Sequence, residues 1–382
     1  MTWSACAGEA APATAMLDAA SVRTVAPIAD VGRRKLSRIL RGKHYSRVMT
    51  RTLGQGGARD NPRGHDGTVS EHATGRAHRV PARLRVGVVG AGRVGAVLGA
   101  ALRVAGHDVV AVSAVSEASR TRAEALLPGV PVRPADEVVA DADLVLLAVP
   151  DDVLADLVAG LVATGALGEG RILVHTSGRH GLAPFDPAGA LGVVGLALHP
   201  AMTFTGTSLD LERLRGCPFG ITCAGDLRPV AEALVLEMGG EPVWVPDAER
   251  ISYHAALAHG SNHLVTLVAQ AMEILRGTGI EDPATMLRPL LSASLDNALR
   301  AGDAALTGPV ARGDAGTVAD HLAALTQESP DIRATYLALA RATARRAGSA
   351  GRLPGPAADE LRRVLDAADD DAGAGMGETS AP

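Results

Sequence analysis

The stretch "VGVVGAGRVGAVLGAAL" places Gly90, Gly92 and Gly95 in a G-x-G-x-x-G turn between an apolar run and a helical pattern. The three positions need glycine for different reasons: a tight turn, close approach of backbone to a pyrophosphate, and close packing of helix on strand. The helix start, with Arg93 and Val94, turns free N–H groups and a positive dipole end toward the phosphates. The chemistry expected here is the holding of a dinucleotide. Two histidines close later apolar runs, His175 in "LVHTSGRHG" and His199 in "LALHPAMTFTG". Hydride transfer to a carbonyl requires a proton for the developing alkoxide, and histidine can give one near neutral pH. His199 is the first candidate for that role; its alternative is a hydrogen-bonded residue that orders the following loop. Ser177 is a candidate for hydrogen bonding to substrate or to a nicotinamide amide, or else a plain turn residue.

The next apolar run, "VVAVS", ends in Ser113, where enzymes that use NAD carry a carboxylate for the ribose hydroxyls, roughly 20 positions after the first glycines. Ser113, Ser116, Arg120 and Arg122 instead offer hydroxyl and cationic partners for a 2′-phosphate. The expected cofactor is NADP, with NAD the alternative if Glu117 takes the acidic role. Ala148, Val149 and Pro150 end "DLVLLAVPDD" at the edge where open α/β sheets bind ligands, so backbone contacts there would support the nicotinamide. Asp151 and Asp152 are read as caps of the following helix.

On the long helical pattern after Asp247, Ser261 and Asn262 follow His254 at offsets of seven and eight residues and form a polar stripe in an apolar segment. His254 and Asn262 join His199 and Ser177 as catalytic candidates, with Ser261 a substrate contact; His259 and His263 fall on another face. In "ALTGPVARGDAGTVADHL", Arg312 beside Asp314 is a candidate clamp for a substrate carboxylate, unless the two form an ion pair that fixes the loop. No metal-ligand spacing occurs. The only lysines, Lys35 and Lys43, precede the glycine turn, which excludes lysine-assisted catalysis from the chain after it.

These groups require a scaffold that brings strand ends to one edge. From Arg83 apolar runs at 84–89, 109–113, 144–149, 172–175 and 195–198 alternate with helical stretches at 93–105, 118–127 and 152–163. Such alternation predicts a parallel sheet with helices on both faces. "GCPFGITCAG" and "EPVWVPD" add strands at the far edge, after which strand signals stop. The expected fold is α/β: an N-terminal Rossmann doubly wound parallel sheet over 83–246, then an all-helical domain for substrate and dimerisation over 247–368. A disordered basic extension (1–82) and a disordered acidic tail (369–382) flank them.

Of the 382 residues 47% are hydrophobic but only 2% aromatic, so the interior must pack small aliphatic side chains, and recognition by aromatic stacking is excluded. The net charge of −5 hides an asymmetry, since residues 1–83 hold 14 Lys and Arg against 6 Asp and Glu. A short basic amphipathic helix near Arg33–Met49 fits a nucleic-acid or membrane tether; the alternatives are an unstructured extension or a start codon chosen too far upstream. Neither nucleic acid nor membrane is expected as a partner. Three cysteines without a disulfide framework point to the cytoplasm.

Taken together, "GVVGAGRVG", "AVPDD", "HTSG", "LHPAMTF", "YHAALAHGSN" and "ALTGPVARGD" resemble, over residues 84–350, a bacterial Rossmann-like family whose helical half is the domain of unknown function 2520. That family is similar to the 6-phosphogluconate dehydrogenase-like superfamily, with pyrroline-carboxylate reductase, prephenate dehydrogenase and ketopantoate reductase. The resemblance implies an NADP-dependent oxidoreductase that forms a homodimer through its helical domain. "LHPAM" is similar to the segment through which prephenate dehydrogenases contact substrate by a histidine, which supports His199, although Ala201 displaces the methionine by one place. Ketopantoate reductases and phosphogluconate dehydrogenases use a lysine that this body lacks, so neither mechanism carries over directly. The expected substrate is a small 2-keto acid of ketopantoate type, or a related carbonyl or imine. The alternative is a non-catalytic NADP(H) sensor.

Overall fold

A computed structural model describes residues 83–375 of the chain. The expectations for the basic extension, including its amphipathic helix, lie outside the described residues. The described residues divide between His254 and Ala255 into two compact units, a division that falls within a helix.

The first unit is built on seven strands: β1 (Arg85–Val89), β2 (Asp108–Ser113), β3 (Leu144–Leu147), β4 (Ile172–His175), β5 (Val194–Pro200), β6 (Pro218–Thr222) and β7 (Glu241–Trp244). Their order is β2-β1-β3-β4-β5-β6-β7. Between them run α1 (Arg93–Val104), α2 (Glu117–Leu126), α3 (Ala135–Ala140), α4 (Leu154–Ala163), α5 (Leu209–Arg213) and α6 (Arg228–Glu237). All neighbours pair in parallel except β5 and β6, where Ala197 faces Thr222 and Pro200 faces Phe219 in antiparallel register. A parallel return needs a crossover element long enough to travel back along the sheet. Only the five-residue α5 lies between β5 and β6, and the chain turns back instead.

Alternate strand residues bury on opposite faces. Val86, Val88, Leu144, Leu146, Val174, Leu196 and Leu198 pack with Val97 and Leu98 of α1 and Val230 and Leu234 of α6. Val89, Val145, Leu147 and Leu173 pack with Val138 of α3, Leu154 and Val158 of α4, and Phe185. Covering both faces explains why β1, β3 and β4 read as continuous apolar runs. Small residues set the spacing in this aromatic-poor interior. A Cβ on Gly87 would come within 2.8 Å of Val138, and one on Gly99 within 2.9 Å of Val88.

Helix α7 (Arg250–Gly277) leads into the second unit, which continues with α8 (Pro283–Ala301), α9 (Pro309–Arg312), α10 (Ala315–Ala324), α11 (Pro330–Ser349) and α12 (Gly355–Gly375). The last of these runs into the stretch expected to be a disordered tail from 369. Val310, Val318, Leu322, Leu337, Leu361 and Leu365 form its core. On α7 and α8, by contrast, Val265, Met286, Leu290, Leu295 and Leu299 are exposed. Gln270 ties α7 to α11 by donating to Asp331 (3.3 Å) and Thr335 (3.2 Å).

Leu146, buried on central strand β3, contacts one of these two cores. Leu146→Ala should lower the unfolding free energy in urea titrations by about 2–5 kcal/mol, with the lower end expected if the small-residue packing collapses around the gap.

Candidate functional site

The glycine turn is held by one acceptor: the N–H groups of Gly90 and Ala91 both donate to the Ser113 carbonyl, at 3.2 and 2.8 Å. The three glycines then separate by environment. Gly90 has φ +94°, where an L side chain is strained. A Cβ on Gly95 would strike the Gly90 carbonyl oxygen and lie 2.8 Å from the Ala148 Cβ, whereas one on Gly92 would meet nothing within 4 Å. Gly92 alone faces open space, and no side chain caps α1 nor does any acidic residue occupy its first turn. The N–H groups there are arranged for an anion such as a pyrophosphate. Ala148 and Val149 lie directly against the turn.

Strand β2 ends at Ser113, and Glu117 belongs instead to the first turn of α2, away from the acidic position that NAD would need. Ser116 is committed to capping: its hydroxyl oxygen accepts from the Ser119 N–H at 3.2 Å. Arg120 donates only a 3.4 Å bond to the Ala114 carbonyl. Among the described residues Arg93 and Arg122 have no hydrogen-bond or ion-pair partner, and they flank Gly206: a Cβ there would lie 2.9 Å from Arg122 Nε and 3.0 Å from Arg93 Cγ. The Gly206 loop is pinned by Asp210, which is 0% exposed and accepts from the Thr205 and Gly206 N–H groups (2.8 Å each) and the Thr205 hydroxyl (3.0 Å). Burial pushes the Asp210 pKa up, but the hydrogen bonds from Gly206 and Thr205 outweigh it and hold it below the ordinary value.

At the ends of β4, β5 and β6 the organising side chain is one that sequence reasoning missed. Arg250, the first residue of α7, is 1% exposed. Its Nε donates to the Thr222 hydroxyl (2.8 Å), Nη1 to the Ser177 carbonyl (3.2 Å), and Nη2 to the Ala197 and Gly220 carbonyls (3.0 and 2.9 Å). His175 is fully buried, stacks on Phe185, donates from Nε2 to the Gly181 carbonyl (2.7 Å) and accepts the Ser177 N–H at Nδ1 (3.3 Å). The Ser177 hydroxyl accepts from the His180 N–H at 3.1 Å, so it serves the turn and keeps its own proton to donate. His199 Nδ1 meets the Tyr253 hydroxyl at 2.9 Å, and its ring stands perpendicular to that of His254 with centroids 6.1 Å apart. Gly178 lies between them: a Cβ would come 2.5 Å from His254 Cδ2 and 3.0 Å from His199 Nε2.

Burial, the Arg250 charge and His254 push the His199 pKa down to about 4, and burial does the same to His175. At neutral pH His199 is therefore uncharged and offers an N–H without a net charge. The expectation that Asp151 and Asp152 cap the following helix is corrected. Helix α4 starts at Leu154 with Val153 as its N-cap, beyond both aspartates, and no side chain caps it.

In the second unit Ser261 and Asn262 are exposed on α7. Arg312 is exposed and forms no ion pair with Asp314 among the described residues, while Asp314 caps α10 by accepting from the Thr317 N–H (3.1 Å) and hydroxyl (2.8 Å). Each Asp314 oxygen thus accepts one bond from Thr317, and the residue remains exposed beside Arg312. No group of three His, Cys, Asp or Glu among the described residues could hold a metal, and no helix among them is long and apolar enough to cross a membrane.

Residues 70–200 match the profile of a Rossmann-like domain, and residues 217–343 match that of the domain of unknown function DUF2520. The chain joins a Rossmann-like domain to a DUF2520 domain. The DUF2520 match begins at Cys217, just before β6, and so takes in Arg250, Tyr253 and His254. Solved structures that share the fold include one from Bacteroides fragilis and one from Thermotoga maritima. A candidate NADP oxidoreductase from Bacteroides fragilis is 21% identical with a TM-score of 0.58, the match covering 69% of this chain and 98% of that one. A protein from Thermotoga maritima is also 21% identical, with a TM-score of 0.50 over 70% of this chain and 100% of its own. No curated protein matches the chain.

His175 and His199 bind fewer protons in the folded Rossmann-like domain than in the unfolded chain between pH 6.5 and about 4. Their contribution to stability is present above pH 6.5 and is lost as pH falls through that window. In chemical denaturation, His199→Gln should flatten the pH slope there by up to one proton, about 1.4 kcal/mol per pH unit.

Proposed function

We propose that the chain is an NADP-dependent oxidoreductase that reduces a small 2-keto acid of ketopantoate type, or a related carbonyl or imine. The observation that carries this reading is the open approach at Gly92 beside the unpartnered Arg93 and Arg122, with His199 among the strand ends of the same sheet. The description of the Bacteroides fragilis relative as a candidate NADP oxidoreductase agrees with it.

Gly90, Gly92, Val94 and Gly95 form the pyrophosphate seat. Arg93, Arg120 and Arg122 with Ser113 receive the 2′-phosphate, and the backbone of Ala148, Val149 and Pro150 supports the nicotinamide. A bound NADPH supplies the hydride. His199 donates its Nε2 hydrogen bond to the carbonyl oxygen or imine nitrogen, with His254 and the Ser177 hydroxyl beside it. Asn262, Ser261 and Arg312 supply amide, hydroxyl and cationic groups for the rest of a small hydroxylated carboxylate. The exposed apolar residues of α7 and α8 are the surface for a second copy, and the cytoplasm is the proposed compartment.

Nicotinamide fluorescence titrations should show NADPH bound at least about 10-fold more tightly than NADH, the preference disappearing in Arg122→Leu, because one charge-assisted phosphate contact is worth about 1.5–3 kcal/mol. Failure to bind either nucleotide would sink the proposal. So would binding with no turnover of any keto acid or imine tried, which favours the sensor. Light scattering should give a dimer mass for the native chain and a monomer mass for the Leu290→Glu/Leu299→Glu double variant.

A further inference from the structure

His199 is neutral, and a neutral imidazole carries its single proton on either nitrogen. Which nitrogen bears it decides whether the ring can give a proton to a substrate or only accept one. Nδ1 is taken by the Tyr253 hydroxyl at 2.9 Å. Nε2 has no hydrogen-bond partner among the described residues and stands at Gly178, where the absence of a side chain keeps it uncovered. The phenolic hydroxyl has no other hydrogen-bond acceptor among the described residues, and a Cβ on Gly220 would lie 2.6 Å from its oxygen, so only a glycine there leaves the phenol room. With no other acceptor in reach, the phenol's own proton is directed to His199 Nδ1.

Arg250 adds a fixed charge. Its guanidinium carbon lies 5.8 Å from the Tyr253 ring centroid, and its donors go to one hydroxyl and three carbonyls with no carboxylate among them. A cation left uncompensated by any bonded anion disfavours a second positive charge on His199; at Tyr253 burial holds the phenol's pKa above its ordinary value, and the Arg250 charge offsets part of that rise. The other charged or titratable groups around His199 are His254, His175 and Asp151, and Cys217 also acts on Tyr253.

We propose that Tyr253 holds His199 as its Nε2–H tautomer and resupplies the proton that His199 gives away, with Arg250 positioned to stabilise the phenolate left behind. This rests on the reductase reading for its chemistry, though not for the tautomer. As hydride reaches the carbonyl carbon, the C=O electron pair moves to oxygen, which takes the Nε2 proton. Nδ1 takes the Tyr253 proton in the same event, so the imidazole stays neutral; a solvent proton then returns to Nε2 while Nδ1 gives its proton back to the phenolate, which restores the starting tautomer. Tyr253 acts through His199 and is a positioning residue.

The test is nitrogen-15 NMR of the histidine-labelled full chain, with His199→Gln identifying the resonances. The expected spectrum has a protonated Nε2 and a hydrogen-bonded, unprotonated Nδ1 on His199, unchanged from pH 8 to pH 5. In Tyr253→Phe the two tautomers should mix, and kcat should fall about 100-fold with KM little changed. An Nδ1–H tautomer, an imidazolium at pH 6, or a Tyr253→Phe chain that keeps both the Nε2–H signal and full kcat would overturn the proposal. The spectra decide the tautomer even if no carbonyl or imine is turned over, a result that would count against the reductase alone.

Discussion

A guanidinium buried without a carboxylate is the constraint around which this molecule's candidate site is arranged. Removing a charged group from water costs several kcal/mol even after relaxation, and the cost is recovered only when every donor finds an acceptor. Arg250 meets that condition with the Ser177, Ala197 and Gly220 carbonyls and the Thr222 hydroxyl, which come from β5, β6 and the turn after β4. Those acceptors have to be where they are for the arginine to be buried at all. The antiparallel turn from β5 to β6 matters here, because it sets Ala197 opposite Thr222 and brings both within reach of one side chain. After burial, the same charge is the next cause lowering the His199 pKa, so a group held for structural satisfaction also acts on the protonation state of its neighbour.

The remainder of the sheet edge follows from a second economy, that of size. Few aromatic residues are present, and helices approach the strands closely through Gly87, Gly95 and Gly99. Close approach at Gly95 seats the start of α1 against Ala148, which aligns the helix N–H groups with the turn at Gly90 and Gly92. Packing of the core and the geometry of an anion seat are in this way one arrangement, linked through a single missing side chain.

Much of this was legible in the sequence where the signal was local. The glycine spacing, the apolar runs of β1 to β5 and the polar residues at their ends each lie within a few residues of the feature they specify. The all-helical continuation was equally plain from the loss of strand signals after Asp247. What escaped depends on pairs far apart in the chain: Arg250 reaches back to Ser177, and Tyr253 to His199. Nothing in "ERISYHAAL" distinguishes a buried arginine from the exposed charge that usually begins a helix. Asp314 is a different case, since Asp-x-x-Thr before a helix is a local capping signal that the search for a carboxylate clamp overlooked. Asp210 carried a weaker hint, its Thr-rich neighbourhood, but its burial is set by the fold alone.

Gly178 brings these threads to one point. Its Cα hydrogen occupies the gap between the His254 and His199 rings, and a single additional carbon would press on both. The two imidazoles are thereby spaced by main chain, which has no rotamers to change. A main-chain spacer keeps their separation the same whatever approaches them, so diversification of what this edge accepts has to come from the side chains around the two rings and not from the distance between them.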